Sequence, residues 1–157
     1  MTAPLRTERL VLTPQSPDDL RATIAALSDE DRASMAADWL ARAQAATESD
    51  PWIHGFVATA RDDGRRIGQC GFRAPPENGE VEVAYGVEPQ HEGQGFATEM
   101  AGALVAFARS SPDVQVVIAH TRPEANASTR VLEKNGFVRV GEVVDPEDGT
   151  VWRWRLR

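Results

Sequence analysis

EVEVAYGVEPQHEGQGFATEM, residues 80–100, decides the reading of this chain. It predicts a strand over Glu80–Glu88 interrupted by Gly86, a glycine-containing loop after Glu88-Pro89, and a helix starting near Gly95. The first-turn N–H groups of a helix have no partner inside it, so they can bind an anion. Gly93 and Gly95 permit positive φ and let the backbone approach a phosphate that a bulky side chain would hold off. The loop lacks Gly-Lys-Ser and Gly-Lys-Thr, which excludes a P-loop. Nor is it Gly-x-Gly-x-x-Gly, because Thr98 stands where the third glycine would be. The loop also lies late in the chain, behind an antiparallel region, which weakens a dinucleotide-fold reading further. Gly-x-Gly before a helix is a weak signal alone, and its surroundings make it specific.

Working upstream, Leu10 and Leu12 alternate with Arg9 and Val11 as in a strand. Ser16-Pro17-Asp18-Asp19 then opens a helix with a capping hydroxyl, a proline in the first turn and carboxylates at the positive end. A second helix is expected over Asp29–Thr47, with Met35, Trp39 and Ala43 on one stripe. Trp52–Ala60 and Arg66–Phe72 read as strands joined by the turn Asp62-Asp63-Gly64. Downstream, Gly95 to Arg109 carries Phe96, Met100, Leu104 and Phe107 on one helical face, and Val114–His120 is a β-branched run typical of a strand covered on both faces. Asn126–Asn135 is a short helix closed by Gly136. Phe137–Val144 and Thr150–Leu156 form a hairpin around Asp145–Gly149, with Trp152, Trp154 and Leu156 on one face and Arg153, Arg155 and Arg157 on the other. The order predicts one α/β domain over residues 1–157, with a mixed, mostly antiparallel sheet.

Bulk properties narrow the function classes. The 157 residues suit one domain, and the formal charge of −7, from 17 basic and 24 acidic residues, argues against a nucleic-acid binder. No apolar run approaches the ~20 residues that span a bilayer. The opening MTAPLRTERLVL lacks the apolar stretch of a secretory signal, and a single cysteine, Cys70, excludes an internal disulfide; both point to the cytoplasm. Cys70, in a strand, is expected to be a core residue.

Five segments, LRTERLVL (5–12), RIGQCGF (66–72), VEVAYGVEP (81–89), EGQGFATEM (92–100) and NASTRVLEKNGF (126–137), occur together and cover nearly the whole chain. In this combination the chain resembles the GNAT superfamily of acetyl-CoA-dependent N-acetyltransferases, closest to the branch that includes the ribosomal-protein N-terminal acetyltransferases. The resemblance implies a sheet splayed at its centre, with coenzyme A in the gap and acetyl-CoA as cosubstrate, and no metal. The family's (Gln/Arg)-x-x-Gly-x-(Gly/Ala) loop maps onto Glu92, Gly95 and Ala97, with Glu92 departing from the pattern. By the same resemblance, Glu92, Gly93, Gln94, Gly95, Phe96, Ala97 and Thr98 bind the pyrophosphate. A bulge at Gly86 lets the backbone of Gly86 and Val87 bond pantetheine and polarise the thioester carbonyl. Asn126 contacts pantetheine, although asparagine is equally a helix cap.

Amine attack on a thioester needs a neutral amine, a polarised carbonyl and a proton for the leaving thiolate. Many relatives place a tyrosine acid where this chain has Leu132, and its only tyrosine is Tyr85. Ser128 is the substitute acid, or else a second cap. Glu82 is the preferred base, directly or through water, with an outward strand residue as the alternative. His120 ends a strand near the expected cleft, and Trp39, Trp52 and His54 are expected to line the amine pocket, or else to be core. An α-amine with pKa ~8 is roughly one-tenth neutral at neutral pH, whereas a lysine amine with pKa ~10.4 is neutral in about one molecule per 2,500. A sparse acid/base set therefore favours a peptide α-amine or an amino-acid-like metabolite. The competing expectation is a non-catalytic acetyl-CoA sensor, and the edge strands near the C-terminal hairpin leave room for a homodimer.

Overall fold

The computed structural model describes residues 3–33, 37–45, 47, 49–146 and 149–156. Eight strands form one sheet in the order β1-β2-β3-β4-β5-β6-β8-β7. They are β1 (Leu5–Arg6), β2 (Leu10–Pro14), β3 (Phe56–Ala60), β4 (Arg66–Phe72), β5 (Glu80–Val87), β6 (Val116–Thr121), β7 (Val138–Asp145) and β8 (Gly149–Leu156). Every neighbouring pair is antiparallel except β5–β6, which is parallel. The helices are α1 (Pro17–Ala26), α2 (Asp29–Ala33), α3 (Ala37–Ala45), α4 (Pro51–His54), α5 (Phe96–Arg109) and α6 (Ala127–Lys134). None of the described helices is long and apolar enough to cross a membrane.

The two faces of the sheet are covered differently. Leu10 and Leu12 of β2, Phe56 and Ala58 of β3, Cys70 and Phe72 of β4, and Val81 and Val83 of β5 join the apolar face of α5 (Phe96, Met100, Leu104) in the main core. A smaller cluster of Leu20 and Ile24 from α1 and Ala43 from α3, with Trp39, Leu40 and Ile53 packed on it, lies apart from that core. Cys70 is a core residue, as expected, and burial pushes its thiol up to about 12, so it stays protonated near neutral pH.

Two local expectations are revised, and a third falls partly outside the described residues. The strand expected from Trp52 starts instead at Phe56, because Asp50 caps a short helix: its carboxylate accepts from Trp52 N–H at 2.9 Å and Pro51 occupies the first turn. The region expected as one helix over 29–47 contains α2 and α3, while residues 34–36, Met35 among them, and residue 46 lie outside the described residues. The bulge expected at Gly86 is absent: β4 and β5 pair in step from Phe72↔Val83 to Gly68↔Val87. Register shifts occur elsewhere, between Ala58 and Thr59 on β3 and between Arg139 and Gly141 on β7.

Gly68 fixes how closely β5 approaches β4. A Cβ built there would lie 2.1 Å from the Gly86 carbonyl oxygen, a backbone atom that cannot step aside alone. Gly68→Ala is therefore expected to destabilise the protein by about 1–3 kcal/mol, in the range of other overpacking substitutions. A lowered urea midpoint with unchanged m would show it, and an unchanged midpoint would refute the close approach.

Candidate active site

The site begins where β5 and β6 part. Their parallel pairing covers only Glu80↔Val116, Val81↔Val117 and Glu82↔Ile118. Beyond it β5 continues against β4 alone, to Val87. Arg73 N–H donates to Glu82 O at 3.0 Å and Glu88 N–H to Ile67 O at 2.8 Å. Bonded positions alternate along an antiparallel pair, so the even residues of β5 bond β4 and the odd ones direct N–H and C=O the other way. At Tyr85 and Val87 that direction is the gap left by β6. The freed backbone groups thus come from diverging strands and not from a bulge. The Cα–Cβ direction of Gly86 meets open space, with nothing within 4 Å.

The glycine loop follows directly. A one-turn 3-10 helix (Pro89–His91) leads into Glu92, and Gly93 and Gly95 both take left-handed conformations, with φ of 77° and 85°. Gly95 is the N-cap of α5, and the first helical bond runs from Glu99 N–H to Gly95 O. The N–H groups of Phe96, Ala97 and Thr98 are therefore the unpaired first turn. Glu92, Gly93, Gln94 and Gly95 are all exposed, while Phe96 is buried beneath them.

Arg9 stands beside this loop and was not singled out from sequence. Its guanidinium lies over the Phe96 ring, 4.3 Å from the centroid, and Nη2 comes within 3.2 Å of the Gly95 Cβ direction. Its Nε pairs with Glu99 Oε2, while Thr7 Oγ1 and Arg9 N–H donate to Glu99 Oε1 at 2.8 and 3.0 Å. The β1–β2 turn and the start of α5 are thereby tied together. Sequence alone carried the signal only as two recurring segments, since the contact spans ninety residues.

On the opposite face of β4 and β5 lies a cleft of about 490 Å³. Gln15, Trp39, His54, Gln69, Arg73 and Gly86 are among its lining residues. Trp39 donates Nε1–H to Ile53 O at 3.1 Å. His54 is only 2% exposed; Asp50 N–H donates to its Nδ1 at 2.9 Å, and its buried Nε2 has no partner among the described residues. Trp52 packs in the core instead, with its ring 4.7 Å from Phe72 and 5.0 Å from Phe107. At the edge of the cleft, Glu82 Oε2 is held by Arg73 Nε at 2.9 Å and faces His120 Nδ1 at 3.0 Å. Arg73 is a second residue that the sequence did not single out.

Across the gap, Asn126 is the N-cap of α6: its Oδ1 accepts from Thr129 N–H at 3.0 Å, and Thr129 Oγ1 accepts from Asn126 N–H at 2.9 Å. Capping leaves the Asn126 side-chain amide nitrogen for other partners. Ser128 is exposed and makes no cap; its carbonyl accepts from Tyr85 Oη at 3.3 Å. Burial pushes the Tyr85 hydroxyl up to about 12, against the pull of that hydrogen bond. Leu132 is fully buried in the core.

The Glu99 clamp carries a pH signature. Burial works to raise its carboxyl, but hydrogen bonds from Thr7 and Arg9 and the Arg9 charge outweigh this and hold it below the usual carboxylate range. A carboxyl lowered by folding contributes stability above its unfolded pKa, ~4.3, and loses it as pH falls through the folded value. Solvent screening limits the effect to about 1 kcal/mol or less. Glu99→Gln is expected to lower the urea midpoint at pH 7, with the difference from wild type shrinking below pH 4. A difference independent of pH would discount the charge.

Comparison with known proteins bears on the whole arrangement. A family model described as an acetyltransferase (GNAT) domain matches residues 9–138. An uncharacterized N-acetyltransferase, p20, of Bacillus licheniformis is 30% identical over 93 residues, 59% of this chain and 52% of that protein, so the chain spans about half the length of that relative. Among solved structures, a spermidine N-acetyltransferase from Vibrio cholerae superposes with a TM-score of 0.72 at 19% identity, covering 96% of this chain and 94% of that one. The aminoglycoside acetyltransferase AAC(6')-Ib, solved with coenzyme A and kanamycin, gives 0.64 at 21% identity, covering 94% of each chain. At these identities the two structures establish the fold. The family match runs from the edge of β2 to the start of β7, through the gap, the glycine loop and the α6 cap, and the chain belongs to the GNAT acetyltransferase family.

Proposed function

We propose that the protein transfers the acetyl group of acetyl-CoA to a primary amine by direct attack of the amine on the thioester. The observation that carries this reading is the β5–β6 gap with the glycine loop at its end. An elongated ligand with a phosphate at one end and a carbonyl at the other suits that arrangement. The residues present fit coenzyme A: the loop is exposed, no Cβ crowds it at Gly93, and the first-turn N–H groups of α5 have no partner inside the helix. In this reading Glu92 to Thr98 cradle the pyrophosphate mainly through backbone, and Arg9 supplies the positive charge that Glu92 does not. Backbone N–H groups at Tyr85 and Val87, beside Gly86, meet pantetheine and the thioester carbonyl, and the Asn126 side-chain amide meets pantetheine from α6. Binding supplies the activated acetyl group; the protein orients it and removes the amine proton.

The acceptor enters from the cleft beside Trp39, His54 and Gln69, on the face of β5 that carries Glu82. The resemblance to N-terminal acetyltransferases and the sparse acid/base set both favour an α-amine, on a peptide or an amino-acid-like metabolite. In this reading proton removal falls to Glu82 and its partners, and Ser128, exposed on the first turn of α6, passes a proton to the leaving thiolate. The second reading, a non-catalytic acetyl-CoA module, is favoured by one observation: Leu132 is buried where many relatives carry a tyrosine.

Calorimetric titration with acetyl-CoA is expected to show one site of micromolar affinity. Gly95→Glu, which adds a carboxylate and a strained side chain at a left-handed position, is expected to weaken it at least tenfold. Equal affinity in the two proteins would refute the loop assignment. Binding without thiol release across an amine panel would favour the second reading.

A further inference from the structure

His120 and Glu82 meet at the point where the sheet opens. Glu82 is the last residue of β5 paired with β6, and His120 lies two residues past its partner Ile118. The His120 ring places Nδ1 3.0 Å from Glu82 Oε2, with side chains only 20% and 18% exposed. Arg73, from the end of β4, holds the same oxygen at 2.9 Å. From β8, Arg153 stands opposite His120 in register, but its guanidinium is engaged by the Glu80 carboxylate at 3.0 and 3.1 Å. Two carboxylates and two guanidiniums thus surround the imidazole in balance.

An ionised carboxylate only accepts hydrogen bonds, so the contact with Glu82 assigns the imidazole hydrogen to Nδ1 and leaves the lone pair on Nε2. The His120 side chain is partly exposed, and among the described residues nothing bonds Nε2, so its lone pair is available. Glu82, by contrast, has Oε2 engaged on two sides. We infer that His120 is the proton acceptor of the reaction and that Glu82, held by Arg73, is a positioning residue that fixes the imidazole tautomer. The inference rests on the acetyl-transfer reading and adds the identity of its base.

The step balances. As the amine nitrogen bonds the thioester carbon, one N–H proton passes to His120 Nε2, and the C–S bond breaks with its electron pair leaving on sulfur. The thiolate then takes the proton of the imidazolium, relayed by Ser128 or water, and His120 returns to its starting form. One amine and one thioester give one amide and one thiol, with no further reactant.

The test compares wild type, His120→Gln, His120→Ala and Glu82→Gln, each checked for folding by its thermal transition. Thiol release is followed with spermidine, kanamycin and a short peptide bearing a free α-amine. The expected result is a kcat about 10²- to 10³-fold lower in His120→Gln, acetyl-CoA affinity within about threefold of wild type, and partial rescue of His120→Ala by added imidazole. Glu82→Gln is expected to shift the pH profile of kcat while leaving the KM for acetyl-CoA in place. Independently of any acceptor, nitrogen-15 NMR of the wild-type histidines is expected to show His120 with its proton on Nδ1, the signal being assigned by its loss in His120→Gln.

Full activity in His120→Gln with loss in Glu82→Gln would overturn the inference and make Glu82 the base itself. A proton on Nε2 in the wild type would overturn it equally. Failure of wild type to bind acetyl-CoA is a different result: it removes the acetyl-transfer reading, and the base assignment falls with it.

Discussion

The candidate site of this molecule depends on a pairing that stops early. β5 and β6 hold each other for three residues and then diverge, although β5 still has five residues to run. Three consequences follow from that geometry. Backbone donors and acceptors on the odd residues of β5 lose their strand partner and become available to a ligand. The divergence separates α5, which follows β5, from α6, which follows β6, so the helix starts flank the opening. Finally, polar side chains on the neighbouring face, Glu82 and His120, come together at the apex of the split, where an entirely apolar sheet would have closed. Such an opening costs sheet hydrogen bonds, and it persists because one apolar cluster packs on both sides of it, with Val83 of β5 and Met100 of α5 on one side and Ala119 of β6, Leu132 of α6 and Trp154 of β8 on the other.

Much of this was legible from residue order. The alternation in β2, the glycines before α5, the β-branched run of β6 and the Asn126 cap each impose a local geometry that tertiary packing kept. The elements flanking the active segment were placed within about two residues. Where reading failed, a neighbour had overridden a pattern. Trp52 and Ile53 look like strand residues by type, but Asp50 and Pro51 set the first turn of a helix before the strand can start. The bulge expected at Gly86 was replaced by divergence from β6, a property of strand pairing that no single residue encodes.

The site was legible as a loop and not as a constellation. Gly93 and Gly95 announce their conformation because few other residues adopt it. Arg9, Arg73 and Tyr85 announce nothing, because an arginine or tyrosine in a strand is ordinary until its partner is known. Arg9 needs Glu99 and Phe96, Arg73 needs Glu82, and Tyr85 needs Ser128. Glu82 and His120 were each visible as candidates, but their contact, which changes the role of both, joins two strands thirty-eight residues apart. Pairwise chemistry at long sequence separation is what spacing rules miss.

The clamp from Thr7 and Arg9 to Glu99 also has a bearing on biosynthesis. The turn that steadies the loop is synthesised about ninety residues before the glutamate that anchors it. At roughly 5–20 residues per second, that interval is on the order of 5–20 s. During it, β2 and β3 can already associate as an antiparallel pair, while the loop and the first turn of α5 have yet to leave the ribosome. The clamp on the first turn of α5 therefore closes only after β1 to β4 have been synthesised. A nascent chain of this protein has the strands for half its sheet before the glutamate that closes the clamp is made.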